Sequence, residues 1–348
     1  MNTTRRRAMG DANLRVYKTV ATLAHSYGSN AFNWGVLLPN DLILCIPQAP
    51  SSSIYNLGLY NPANNTFTQG PLPATTGTPT FSDAVLLPNG NVILVPANHT
   101  HVGKYDYTTN TYTDLVALPT GTGHTGTFEG GVLMQNGNIM FVPYSRTYIG
   151  IYNPTANTFT VGPSHGLANP NNGLFLSGAL LPNGKVMLAP YFSPVVGIYD
   201  PATNTYSNGP AHNLGNYVYW SKCGLMPNGL VLMLPRNYGG AAGNTPLGLY
   251  DYTTNTFSTG IVAYESANRV MGVTVMPDGR ITFGTKVGNQ LYFYYPLTEV
   301  FAPVLTISST YGGYGGSSQT QGSKCAVLDR NNNIILIPNS SDPFVRIS

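Results

Sequence analysis

Six histidines carry most of this chain's capacity for acid–base or metal chemistry: His25, His99, His101, His124, His165 and His212. His99 and His101 stand two apart, which on an extended strand puts both imidazoles on one face, as two ligands of one metal ion require. The sequence offers no carboxylate cluster and no third ligand beside them, so no metal and no cofactor is expected. Asp83, Glu129 and Glu265 have no recognisable partners. Cys45, Cys223 and Cys325 form neither a disulfide framework nor a metal-binding spacing. A nucleophile elbow, a phosphate loop and a paired-carboxylate motif are all missing from the pattern. No catalytic residue is assigned, and the expectation is a protein that binds rather than reacts.

Composition narrows the scaffold. Only 8% of the 348 residues are charged, against about 25% in an ordinary soluble domain. Turn formers, aromatic and β-branched residues take their place, which points to an all-β protein. The longest apolar runs are far too short for a membrane-spanning helix. The charge is concentrated at one end. Arg5, Arg6, Arg7, Arg15 and Lys18 face a single acid, Asp11, leaving 11 basic against 12 acidic residues in the rest. Residues 1–14 therefore read as a basic arm, and residues 15–348 as a near-neutral body with no footprint for nucleic acid. The residues after the arginines provide no apolar core for an export signal.

Internal repetition decides the fold. Leu-Leu-Pro-Asn-Gly at 86–90 recurs at 180–184, with variants at 37–41, 133–137, 225–229, 275–279 and 327–332. The turn residues Asn40, Asn89, Asn136, Asn183, Asn228, Asp278 and Asn331 follow one another at intervals of 45 to 53 residues. Each interval accommodates four strands: a small-residue strand, an Asn-Gly turn expected to be a two-residue hairpin, an apolar strand ending in proline, a Val-Gly-Ile-Tyr-Asp-like strand, and a fourth strand after a polar turn. The seventh unit lacks its last strand. Residues 16–23 resemble 111–118 and are expected to supply it, closing a seven-bladed β-propeller of four-stranded antiparallel blades.

Ala179 to Tyr206, with Leu-Pro-Asn-Gly-Lys-Val and Ile-Tyr-Asp-Pro-Ala-Thr-Asn-Thr-Tyr, resembles one whole kelch unit, as in the central propeller of galactose oxidase-like proteins. The resemblance covers about residues 15–348, with a proline where kelch repeats carry a glycine pair. It implies the propeller fold. A galactose oxidase-like activity would further imply copper held by tyrosines and histidines, with one tyrosine modified by cysteine; the cysteines here fall in strands, away from the loops.

Alternating strand direction sorts the connections onto two faces. One carries short repetitive turns and the other unequal loops, where binding on a rigid scaffold usually resides. All six histidines fall on the variable face, with Tyr144, Tyr148, Tyr217, Tyr219, Tyr238 and Arg146 among others. Loop packing and a recognition surface for glycan or protein both account for them. Phe32, Phe81, Phe128, Phe175 and Trp220 are expected to form a packed aromatic ring. The column Gly35, Ala84, Gly131, Gly178, Cys223 and Val273, with Cys325 taken as equivalent, is mostly small and is expected to face a crowded axis. Lys222 and Lys324 are placed at the channel. The functional expectation is a non-enzymatic binding propeller, a virion decoration, spike or tail-associated protein anchored to a neighbour through Arg5, Arg6 and Arg7. A cellular lectin-like or adaptor propeller is the alternative, and a galactose oxidase-like enzyme a further one.

Overall fold

The computed structural model describes residues 17–27, 31–47, 55–73, 80–119, 128–167, 173–214, 220–235, 246–262, 270–285, 290–306, 323–338 and 343–348, and every regular element in them is a β-strand. After β1 (Thr19–Leu23) the strands come in fours. The first blade is β2 (Phe32–Leu37), β3 (Ile43–Pro47), β4 (Gly58–Asn61) and β5 (Thr66–Gln69). The second is β6 (Thr80–Leu86), β7 (Val92–Asn98), β8 (His101–Asp106) and β9 (Thr111–Ala117). The third is β10 (Phe128–Leu133), β11 (Ile139–Pro143), β12 (Tyr148–Asn153) and β13 (Thr158–Ser164). The fourth is β14 (Phe175–Leu180), β15 (Val186–Pro190), β16 (Val195–Asp200) and β17 (Thr205–Ala211). The fifth is β18 (Trp220–Leu225), β19 (Val231–Pro235), β20 (Pro246–Asp251) and β21 (Thr256–Val262). The sixth is β22 (Val270–Val275), β23 (Ile281–Thr285), β24 (Gln290–Tyr295) and β25 (Val300–Thr306). The seventh is β26 (Ser323–Leu328), β27 (Ile334–Pro338) and β28 (Phe344–Ile347), completed by β1 in the order β1-β28-β27-β26.

The first strands of the blades touch their neighbours all the way round, β2 to β6 and on to β26 and back to β2, so the sheets form a closed ring with these strands innermost. Closure follows the expectation: Thr22 pairs with Val345 and Leu23 with Phe344, and Lys18 and Ser348 exchange backbone hydrogen bonds of 3.1 Å. Tyr17 is locked beside it, its ring 4.9 Å from Phe293 and its hydroxyl 2.9 Å from an Arg280 donor on the sixth blade.

Among the described residues the core divides into seven large apolar clusters, one per blade–blade interface, with a small eighth made by Leu176, Tyr191 and Tyr144. Phe32, Phe81, Phe128, Phe175 and Trp220 are fully buried, but each lies in a different blade–blade cluster, so they are equivalent anchors of five interfaces rather than one packed aromatic ring. The small-residue column faces the neighbouring blade rather than the axis. A Cβ on Gly131 would lie 2.5 Å from Cγ2 of Val85, and one on Gly35 2.9 Å from Cγ1 of Ile337. Register also moves Cys325 out of that column. Leu328 pairs with Ile334 as Leu225 pairs with Val231, which aligns Cys325 with Lys222 and Ala326 with Cys223.

The turns between the first two strands differ from the expected two-residue hairpin. Gly90 N donates to Leu87 O and Leu87 N to Asn91 O, while only Gly90 has positive φ. This is a type I turn followed by a left-handed residue, with Pro88 at the position that geometry favours. The outer turns rest on a repeated device. Asn65, Asn110, Asn157, Asn204 and Asn255 all adopt φ between 50° and 55°. Each accepts a hydrogen bond from the hydroxyl of the tyrosine five residues earlier, Tyr60, Tyr105, Tyr152, Tyr199 and Tyr250. Strand β7 runs through Pro96 to Asn98, whereas β3, β11, β15, β19 and β27 end at their prolines.

Candidate functional site

Most of the histidines on the variable face are part of the scaffold. His165 sits 6.2 Å from Phe175 and 6.1 Å from Tyr206; His212 sits 5.2 Å from Trp220 and 6.4 Å from Phe257; His25 sits 5.4 Å from Phe32 and 6.4 Å from Phe67. Each lies just past the last strand of one blade and caps an aromatic pair in the next. In all three, Nδ1 accepts from the backbone N–H two residues on. His165 Nε2 faces Arg146 O at 2.7 Å and His212 Nε2 faces Ser193 O at 3.1 Å. These bonds require the neutral Nε2–H tautomer. Burial pushes both pKa values down, with the backbone carbonyl opposing it.

The second and third blades cap their aromatics differently. Tyr148 packs 6.3 Å from Phe128, with Arg146 6.0 Å above the Tyr148 ring. His99, from the second blade's own short β7–β8 connection, packs 5.1 Å from Phe81. Its Nε2 lies 2.8 Å from Asp114 Oδ1, to which the Tyr112 hydroxyl also donates. Burial, then Asp114, holds the Tyr112 phenol far above its ordinary range. His101 Nδ1 is 2.9 Å from Thr100 Oγ1.

The inner strands place a second group at the axis. Lys222 of the fifth blade reaches across the ring. Its Nζ lies 3.6 Å from Asp83 Oδ2 of the second blade and 4.3 Å from the Trp34 ring centroid of the first. Asp83 is held for this by Ala84 N at 2.8 Å and Gly131 N at 3.3 Å. All three residues occupy the same register position, three before the last residue of the inner strand and next to a bulge in each. That end of the strand opens on the variable face. On the same face, over the third and fourth blades, Tyr144 stands 6.1 Å from the buried Tyr191, which meets the exposed Phe192 edge-on at 4.8 Å. Gly173, at φ +78°, admits this cluster, since a Cβ there would sit 2.2 Å from the Tyr144 ring.

The arrangement offers charge, a partly exposed indole and an aromatic shelf, which suits binding. The thiols are inert by location. Cys45 and Cys325 are buried and Cys223 lies against Ser177 Oγ at 3.2 Å. Burial raises the Cys45 pKa well above its ordinary value and that of Cys223 to about 11. On the opposite face a groove of about 290 Å³ lies between turns of the fifth and sixth blades, lined by Pro227, Asp278, Arg280, Tyr295 and Leu297. His124, Tyr217, Tyr219, Tyr238, Arg5, Arg6 and Arg7 lie outside the described residues, as does the Lys324 side chain. Sequence reasoning missed the Asp83–Lys222 contact and the approach of Asp114 to His99.

No protein-family profile and no curated protein sequence matches the chain. Solved structures do. A streptogramin B lyase superposes with a TM-score of 0.72 at 11% identity, over 95% of this chain and 97% of that one. A catalytically inactive variant of virginiamycin B lyase from Staphylococcus aureus, with quinupristin, gives 0.73 at 10% identity over 95% and 99%. The extracellular domain of a hybrid two-component system protein from B. thetaiotaomicron gives 0.68 at 13% identity over 94% of this chain but 39% of that one. These neighbours are not kelch-type propellers, and likeness at this identity speaks for the seven-bladed fold alone.

Proposed function

We propose that the chain is a binding propeller that takes its ligand at the axial mouth of the variable face. The observation that carries this is the cross-ring convergence of Lys222, Asp83 and Trp34, which three separate blades deliver to one place. An ion pair from opposite sides of the ring is not needed to pack adjacent blades, whose interfaces are already apolar. Aromatic faces with polar tips provide stacking area and hydrogen bonds together, and the Tyr144–Tyr191–Phe192 shelf lies on the same face. A glycan, or a protein segment presenting polar and aromatic groups, fits this chemistry.

Trp34 makes the test direct. The chain has two tryptophans, and Trp220 is fully buried. Titration with neutral and acidic oligosaccharides should change Trp34 emission, and Trp34→Phe should abolish the change. Lys222→Met should weaken binding measured by calorimetry. Ligand binding untouched by Lys222→Met, by Trp34→Phe and by Tyr191→Ala would place the site elsewhere.

One observation favours a second possibility, a lyase: the two lyase structures match over nearly the whole of both chains. Incubation with a streptogramin B-type cyclic depsipeptide, followed by mass spectrometry for a ring-opened product, decides between them. The setting is a separate proposal. Arg5, Arg6 and Arg7 would tether the propeller to an acidic groove on a neighbour, in a virion or another assembly, since arginine pairs bidentately with carboxylates. Deleting residues 1–12 should then abolish incorporation while leaving a folded ring.

A further inference from the structure

We propose that His99, His101 and Asp114 form a binding site for a divalent transition-metal ion of the zinc, cobalt or nickel class. The site is independent of the axial mouth. The second blade differs from the others where the site lies. Its β7 continues past Pro96, which shortens the connection to His99 and Thr100 and starts β8 at His101. The two imidazoles stand 5.9 Å apart, centre to centre. Across the β8–β9 pair, Asp114 lies opposite Gly103, a residue with no side chain to obstruct it. The matching positions in other blades are Gln69, Val161, Asn208 and Thr259, so among these blades only the second brings a carboxylate.

The donor atoms of all three residues lie within 4.8 Å of one another. Around zinc, with ligands at about 2.0–2.2 Å, tetrahedral donors stand roughly 3.4 Å apart. The 2.8 Å between His99 Nε2 and Asp114 Oδ1 is already short enough for one edge. Closing the site therefore asks for a small rotation of His101, which is partly exposed. Two imidazoles and one carboxylate are the donor set of borderline divalent ions rather than of calcium or magnesium. Supporting groups are present. His99 is fixed against Phe81, His101 Nδ1 is within hydrogen-bond distance of Thr100 Oγ1, and the Tyr112 hydroxyl holds Asp114. Such outer contacts orient ligands in metal sites. They also set His99 apart from His165 and His212, whose two nitrogens are both committed to backbone groups.

The test uses tag-free, chelator-treated full-length protein and cobalt(II) as the probe. Calorimetry and the visible absorption of four- or five-coordinate cobalt should show one saturable site per chain. His101→Ala and Asp114→Asn should each weaken it about tenfold or more, with unfolding temperatures close to wild type. On the unmutated protein, substoichiometric copper(II) should broaden the imidazole resonances of His99 and His101 before those of His165 and His212. Absence of saturable cobalt binding, unchanged affinity in both variants, or broadening that begins at other histidines overturns the proposal.

Discussion

The sixth blade breaks the rule that its neighbours obey, and correcting it should stabilise the protein. Glu299 occupies the left-handed turn position at φ 56°, where five other blades place asparagine. A left-handed conformation costs an ordinary residue about 1–2 kcal/mol, less for asparagine, whose short amide bonds locally. Tyr294 stands where the other blades' tyrosines donate to that amide over 2.9 to 3.2 Å, and one such bond contributes roughly 0.5–1.5 kcal/mol net. Glu299→Asn should therefore gain about 1–2 kcal/mol. With an unfolding entropy of about 2.1 cal/mol/K per residue over 348 residues, Tm should rise by about 1.5–3 °C in calorimetry. Asn110→Glu should produce a loss of similar size. If both substitutions leave Tm unchanged, the tyrosine–asparagine device is not what holds these turns.

Three further outcomes follow from the packing. His165 and His212 are held neutral by burial below their ordinary pKa of 6.5. The unfolded chain then binds the extra protons, so stability is complete above about pH 6.5. It should fall as pH drops through 6.5 toward the lowered folded values, by at most about 1.4 kcal/mol per pH unit per histidine. Denaturant midpoints from pH 7.5 to 5 should show this slope, and His212→Gln should reduce it. Gly131→Ala should cost about 1–3 kcal/mol by overpacking, because its Cβ meets Val85 and Val95 at 2.5 and 2.8 Å; an unchanged midpoint would mean the interface can yield. Deleting residues 1–23 removes β1 and Tyr17 from the seventh blade, and should destabilise the whole ring by several kcal/mol, a large share of the roughly 5–15 kcal/mol typical of a domain. A deletion variant that unfolds at the wild-type temperature would refute closure by that strand.

The blade count, the aromatic column and the closing strand were legible because each follows from a short pattern repeated along the chain. Errors arose where the pattern lost its anchor. Arg330 stands in place of the turn proline, and without that marker Cys325 slips by one place against Cys223. Pro96 carries the same sequence sign as Pro143 but lies inside a strand, because Asn98 still pairs with Thr80. The histidines could be assigned to a face but not to a role, since burial against Phe175 or Trp220 depends on which blade comes next in space. Lys222 meeting Asp83 needs the width of the ring, which no local pattern contains. The His99–Asp114 approach did leave a trace in the sequence: an aspartate where aligned repeats carry Gln69, Val161, Asn208 and Thr259.

The closing strand pair also sets how the ring bears load. Lys18 and Ser348 lie side by side at one end of the β1–β28 pair, so drawing the two apart opens the pair rung by rung, at low force. Residues 1–16 precede Tyr17, beside the Arg280 turn on the face opposite the variable loops. Tension between a tether there and a ligand on the other face runs along β1 instead. It loads the rungs at Thr19, Ala21, Thr22 and Leu23 in shear, all at once. The same clasp therefore yields more readily to prying at Lys18 and Ser348 than to a pull along β1.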